Sequence, residues 1–224
     1  MLECLKRMMV MRKELVARRL GRVDYEQALA LQKETERAVQ NREQPDTLLL
    51  LEHPHTLTIG RRGDGSGILL PAELLAERDV KVFETNRGGK ITYHGLGQIV
   101  GYPIINLSPD REDVHRFVRD LEEVLIRTLA DFDIPSFRIA GLTGVHTDKG
   151  KVAAIGVHIA RWVTTHGFAL NVNTDLSYFD LIIACEGEPV TSMQKLLGRE
   201  IEMKEVEDRI IARFAEVFHM EIHR

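Results

Sequence analysis

Residues 137 to 173 place three β-type segments end to end: FRIAGLTGVHT (137–147), KVAAIGVHIARW (151–162) and VTTHGFALNVN (163–173). Only Asp148-Lys149-Gly150 separates the first two, and nothing separates the second from the third. Strands joined by so few residues pair antiparallel, because a parallel return needs a crossover of roughly a dozen residues. The stretch is therefore committed to hairpins.

The rest of the chain supplies partners for them. Residues 13–22 alternate as a strand, and 24–40 repeat apolar side chains at helical spacing (Ala28, Leu29, Leu31, Thr35, Ala38, Val39) behind Asp24 as N-cap. Residues 47–54 (TLLLLEHP) read as a buried strand, 56–60 as another, and 61–67 (RRGDGSG) as a loop. Pro71 opens a short helix over 71–78, and 80–86 and 98–107 are further strands. The longest helix spans 110–131, with Val114, Phe117, Val118, Leu121, Val124, Leu125 and Leu129 on one face. An irregular segment around Cys185 precedes a last helix over 204–218. Few βαβ alternations appear. The class is α+β, a single domain with a mixed, largely antiparallel sheet flanked by helices.

Composition removes several functional classes. A chain of 224 residues buries enough surface for a core without staples, and no repeat or Pro/Gly/Ser-rich linker divides it. The net charge is −4 with no long basic run, so nucleic acid is not an expected partner. No apolar run is long enough to span a bilayer, and the charge-interrupted start MLECLKRMMVMRKEL makes a poor signal peptide. Two cysteines, Cys4 and Cys185, are too few for a disulfide framework. Cys185 is expected as a free thiol in a reducing, cytoplasmic compartment.

Chemistry-bearing residues concentrate in a few places. NRGGKITYHGLGQIVGYPI (86–104) matches neither GxGxxG nor a Walker loop. Gly88-Gly89 would let a ligand approach the backbone, or simply make a tight turn. Arg87 suits a ligand clamp or an ordinary surface ion pair. Cys185 lies where LIIACEGEPVTS turns polar, as either a reactive thiol or small apolar filler. Lys151 opens a strand, a position where most lysines are merely solvated. His94, His146, His158 and His166 offer a base or a ligand set, and His53-Pro54-His55 looks like a ligand pair. Their spacings match no zinc pattern, and no metal is expected.

In chain order, LLLEHPHTLTIGRRG (49–63), RGGKITYHGLGQIVGYPIINL (87–107), KVAAIGVHI (151–159), THGFALNVNTDL (165–176) and the Cys185 loop with VTSM (190–193) resemble the blocks of the lipoyl(octanoyl) transferases. The resemblance covers nearly the whole chain from Met11. It implies the biotin/lipoate ligase-like fold. It implies transfer of an octanoyl group from octanoyl-acyl carrier protein to a lysine of lipoyl domains, in 2-oxoacid dehydrogenase complexes and the glycine cleavage H protein. No cofactor is implied, and a monomer is expected. Residue by residue, Cys185 becomes the acyl-accepting thiol and Lys151 its activating partner. Arg87, Gly88, Gly89, Lys90, Ile91, Thr92, Tyr93, His94, Ala154, Ile155, Gly156, Gly167, Phe168 and Ala169 become substrate-contacting residues. Leu96 departs from the family's proline after HG, and Ala184 and Glu186 from the Pro and Gly common around the cysteine. Two other readings stand beside this one: an ATP-dependent lipoate or biotin ligase of the same fold, working through an acyl-adenylate, and a non-catalytic module that docks acyl carrier protein or lipoyl domains. Residues 1–10 lie outside the resemblance and are expected to be dispensable, leaving 11–224 as the catalytic domain.

Overall fold

The computed structural model describes residues 13–183 and 188–223. Among these residues ten strands and five α-helices follow in order: β1 (Lys13–Arg22), α1 (Tyr25–Gln40), β2 (Asp46–Glu52), β3 (Thr56–Ile59), α2 (Ala72–Ala76), β4 (Lys81–Glu84), β5 (Ile91–His94), β6 (Gln98–Ile104), α3 (Val114–Ala130), β7 (Val145–Thr147), β8 (Gly150–Ala160), β9 (Val163–Asn171), α4 (Met193–Leu197), α5 (Met203–Phe218) and β10 (Met220–His223). A 3₁₀ turn covers Leu176–Leu181. The large sheet has the order β10-β1-β2-β6-β9-β8-β7, and a small one the order β4-β3-β5.

The hairpin logic holds in the centre, where β2, β6, β9, β8 and β7 pair antiparallel in succession. One edge is parallel, because α1 carries the chain from β1 back beside β2 and β10 then pairs with β1 in the same sense. The fold is the expected α+β domain with a mixed sheet.

Both faces of the sheet centre are covered, which explains the unbroken apolar run of β2. Leu48 and Leu50 point into a core with Phe117, Leu121 and Leu125 of α3 and Phe214 of α5. Leu49 and Leu51 point the other way, with Val100, Tyr102 and Ile104 of β6 and Ala28 and Val39 of α1. The buried stripe of α1 is Tyr25, Ala28, Gln32, Thr35 and Val39. Asp24 precedes it without a side-chain cap bond. α3 is capped by Asp113, whose carboxylate accepts from the Arg116 N–H at 3.0 Å. That cap starts the helix at Val114, outside the core and exposed, rather than at 110.

The largest correction falls on 137–147. Only Val145–Thr147 is a strand, with a lone bridge from Phe137 to His146. The preceding residues form a loop anchored on α3. Glu122 is fully buried there and accepts from Arg138 Nε at 3.1 Å and from the Gly144 N–H at 3.1 Å. Gly144 has φ +123°, and a side chain there would strike the Ala153 carbonyl, so the chain turns at a position only glycine fits.

Candidate active site

A cavity of about 200 Å³ opens on the α1 side of the large sheet, beneath the 86–90 loop. Its floor is β8 against β9. In that register Ala154 faces Ala169 and Gly156 faces Gly167, while Ile155 faces Phe168. Directly opposed residues share one face of a sheet. The four small residues therefore lie on the cavity side, and Ile155 and Phe168 pack into the helical core. A strand surface that would normally carry bulky side chains is pared to hydrogen and methyl groups.

Lys151 reaches this cavity by a break in alternation. Val145 pairs with Ala153 but His146 pairs with Lys151, leaving Val152 as the extra residue of a bulge. Val152 and Ala153 both turn to the core, and Lys151 lines the cavity with Ala154. Its Nζ lies 3.5 Å from Glu188 Oε2.

The 86–90 loop forms the roof. Gly88 N–H donates to the Val157 carbonyl at 2.9 Å, which lays the loop along β8. Gly89 sits at φ +88°. Arg87 is buried, and its guanidinium donates to Thr58 Oγ1 (3.1 Å from Nε), to the Gly88 carbonyl at 2.8 Å and to the Lys90 carbonyl at 3.2 Å. The arginine thus bolts the roof to β3. Replacing Gly89 with valine puts a β-branched residue where φ is positive, a strain of about 1–3 kcal/mol. The expected result is a melting temperature lower by roughly 2–10 °C and acyl loading reduced at least about tenfold in single-turnover mass spectrometry. Unchanged loading would show that the roof does not cradle the acyl group.

A directed hydrogen-bond chain crosses the floor. Thr58 Oγ1 lies 3.5 Å from His94 Nε2, and His94 Nδ1 is 2.9 Å from Gln98 Oε1. Gln98 donates to Asn171 Oδ1 at 2.9 Å, and Asn171 donates to the Thr191 carbonyl at 3.0 Å. Because Asn171 and Gln98 spend their amide N–H groups forward, His94 carries its proton on Nδ1. Burial lowers its pKa to about 3. His166 lies beside the same cavity, 2.6 Å from Asn86 Oδ1, and burial and then the Arg87 charge lower it to about 4. Both rings are neutral near pH 7.

Of the substrate-contacting residues expected from sequence, Arg87 to Thr92, His94, Ala154 to Gly156 and Gly167 to Ala169 meet around this cavity. Tyr93 does not. It alternates to the other side of β5, is fully buried with Leu57 and Leu75, and shares a 2.8 Å hydrogen bond between its hydroxyl and His55 Nδ1. Cys185 lies outside the described residues. Sequence reasoning missed Glu188 and the Gln98–Asn171 pair, polar residues whose spacing carries no signal. Among the described residues no cluster of His, Cys, Asp and Glu is arranged to hold a metal, and no helix is long and apolar enough to cross a membrane.

The model of the lipoyl protein ligase A/B catalytic domain matches residues 24–215. The chain belongs to that family. An octanoyltransferase of Solibacter usitatus is 48% identical over 92% of this chain and 93% of its own length. One from Pelobacter propionicus is 47% identical over 87% of the chain and 91% of its own. A lipoate-protein ligase A crystallised with ATP superposes with a TM-score of 0.73 at 14% identity, over 96% of this chain and 88% of that one. The biotin protein ligase of Aquifex aeolicus, with biotin and ATP, gives 0.56 at 16% identity, over 91% and 70%. These two likenesses establish the biotin/lipoate ligase-like fold of the family.

Proposed function

We propose that this protein is an octanoyltransferase of protein lipoylation, moving an octanoyl group from octanoyl-acyl carrier protein through a Cys185 thioester to a lysine amine of a lipoyl domain. The observation that carries the reading is the slot of Ala154, Gly156, Gly167 and Ala169 with Lys151 turned into its end. A narrow channel of small residues suits a linear acyl chain, and a cation at its end suits a thioester. The relatives named octanoyltransferase support the same choice.

The chemistry follows from the residue types. Cys185 attacks as thiolate, which a neighbouring ammonium favours. The donor's C–S bond breaks as the new thioester forms, and the departing thiol takes a proton from Lys151. In the second half the lipoyl-domain amine attacks, the Cys185 sulfur leaves, and Lys151 accepts the amine proton. No cofactor enters, and a reducing cytoplasm keeps the thiol free. Arg87 to Thr92 and His94 form the roof and near wall of the acyl slot in this reading. Tyr93 acts only through its packing.

Mass spectrometry after mixing with octanoyl-acyl carrier protein tests it. One octanoyl group should be gained without ATP, and hydroxylamine should remove it. Modification of a lipoyl domain only with ATP would instead indicate a ligase, and docking with neither reaction a binding module. Residues 1–10 precede the matched region. Their deletion should leave the transfer rate within about twofold; loss of activity in a folded protein would show that they take part.

A further inference from the structure

At the edge of the acyl slot Lys151 and His146 meet on one oxygen of Glu188. Glu188 Oε2 lies 3.5 Å from Lys151 Nζ and 3.3 Å from His146 Nε2. The side chains are 17%, 4% and 19% exposed for Lys151, His146 and Glu188, so the contact is largely withdrawn from water. The backbone fixes Glu188 there. Lys151 N–H donates to the Pro189 carbonyl at 2.8 Å and Thr191 N–H to the Lys151 carbonyl at 3.0 Å, which zips 189–191 along the start of β8. Asn171 then holds the Thr191 carbonyl at 3.0 Å. Among the described residues His146 Nδ1 is buried with no partner, and the ring's side-chain hydrogen bond is the one to Glu188.

We propose that Glu188 is a positioning residue for the transfer, one that holds the Lys151 ammonium at the end of the slot while His146 holds Glu188. The inference rests on the transferase reading and adds a residue to it. The physical argument is one of freedom. Lysine has four rotatable side-chain bonds and a compact charge that makes no fixed geometry by itself. The bulge at Val152 aims it, and an acceptor is still needed to stop it. A carboxylate near a nucleophilic thiol would by itself disfavour the thiolate. Glu188 therefore helps only by placing the ammonium, which separates this role from a simple charge effect.

A double-mutant cycle between Glu188 and Lys151 tests the proposal, read as the single-turnover rate of acyl loading from octanoyl-acyl carrier protein. Glu188→Ala should slow loading about tenfold and leave the donor concentration for half-saturation within about twofold. Glu188→Gln should recover most of the rate, because its amide oxygen still accepts from Lys151. In a Lys151→Ala background, Glu188→Ala should slow loading no further. Three results overturn the inference: no slowing in the Lys151 protein, a faster rate there, or equal slowing in both backgrounds, the last marking a merely structural role. If the wild-type protein loads no acyl group, the transferase reading falls instead. The same cycle is then run on Cys185 alkylation by iodoacetamide, resolved by peptide from Cys4, and the same criteria apply.

Discussion

If Cys185 carries the acyl group, Cys185→Ser should remove both the acyl-enzyme and turnover, because a serine hydroxyl is far harder to deprotonate at neutral pH than a thiol. If Cys185 were only filler, so small a change would cost little. Lys151→Ala should lower the overall rate by roughly 10²–10⁴-fold, the usual contribution of a positioned acid–base group. A slow loading step should survive and recover as pH rises, since hydroxide forms the thiolate that the lysine no longer supports. The double variant should be no worse than Cys185→Ser alone, as residues that act as a unit are strongly non-additive. Lys151→Arg keeps the positive charge but cannot give up a proton. On the proposed mechanism it should fail to rescue, because the lysine ammonium delivers a proton in the first half and the resulting amine takes one back in the second. A pH profile of thiol alkylation reads the charge effect alone. Identical profiles for wild type and Lys151→Ala would end the dyad as drawn.

How much of this could be read in advance differs between fold and site. The central hairpins were legible because only Arg161 and Trp162 lie between β8 and β9, and topology then follows from chain geometry alone. The parallel edge was not, because nothing local in 13–22 tells which strand it will lie beside. Residues 137–144 misled because they run without a break into the real strand at Val145, but the buried Glu122 of α3 draws the Gly144 N–H away from a ladder, a contact between residues far apart in sequence. Lys151 shows the same limit at the site. Strict alternation from Ala154 would aim it at the core, and only the bulge at Val152, visible in the register of β7 on β8, returns it to the cavity. Tyr93 falls within a block that otherwise lines the slot, and β5 simply alternates it to the far side. Glu188 gave no signal, since a single carboxylate after a cysteine has many uses.

The floor of the slot also predicts acid lability. His53, His94 and His166 are buried as neutral rings, with pKa values lowered by desolvation to about 4, about 3 and about 4. His53 donates from Nδ1 to the Val23 carbonyl at 2.7 Å and meets the Tyr102 hydroxyl at 2.8 Å through Nε2, so its tautomer is set by its partners. The unfolded chain takes up protons at these rings near pH 6.5, while the native protein does not until pH 4 or below. Stability is therefore complete above about pH 6.5 and is lost as pH falls, at about 1.4 kcal/mol per pH unit for each ring. Asp46 opposes this. Burial raises it to about 6, so below pH 6 the native state gains a proton there that the unfolded chain does not yet bind, and one histidine is offset. The carboxyls of Glu36, Asp120 and Glu207, also raised by burial, act in Asp46's direction, and His55, lowered first by burial, acts with the other histidines. The three rings and Asp46 together give a net slope of about two protons, roughly 3 kcal/mol per pH unit, which removes about 6 kcal/mol between pH 6.5 and 4.5, as much as the low end of a typical domain stability of about 5–15 kcal/mol. Thermal melts followed by circular dichroism should show a steep fall between pH 6.5 and 4.5. His94→Gln keeps a hydrogen-bonding side chain without a titrating group, so it should flatten that slope by about one proton, whatever it costs at pH 7.5. Asp46→Asn should steepen the slope by about the same amount. Melting temperatures that stay level from pH 6.5 to 5, or slopes that neither variant moves, would mean that these rings take up protons in the native state as readily as in the unfolded chain.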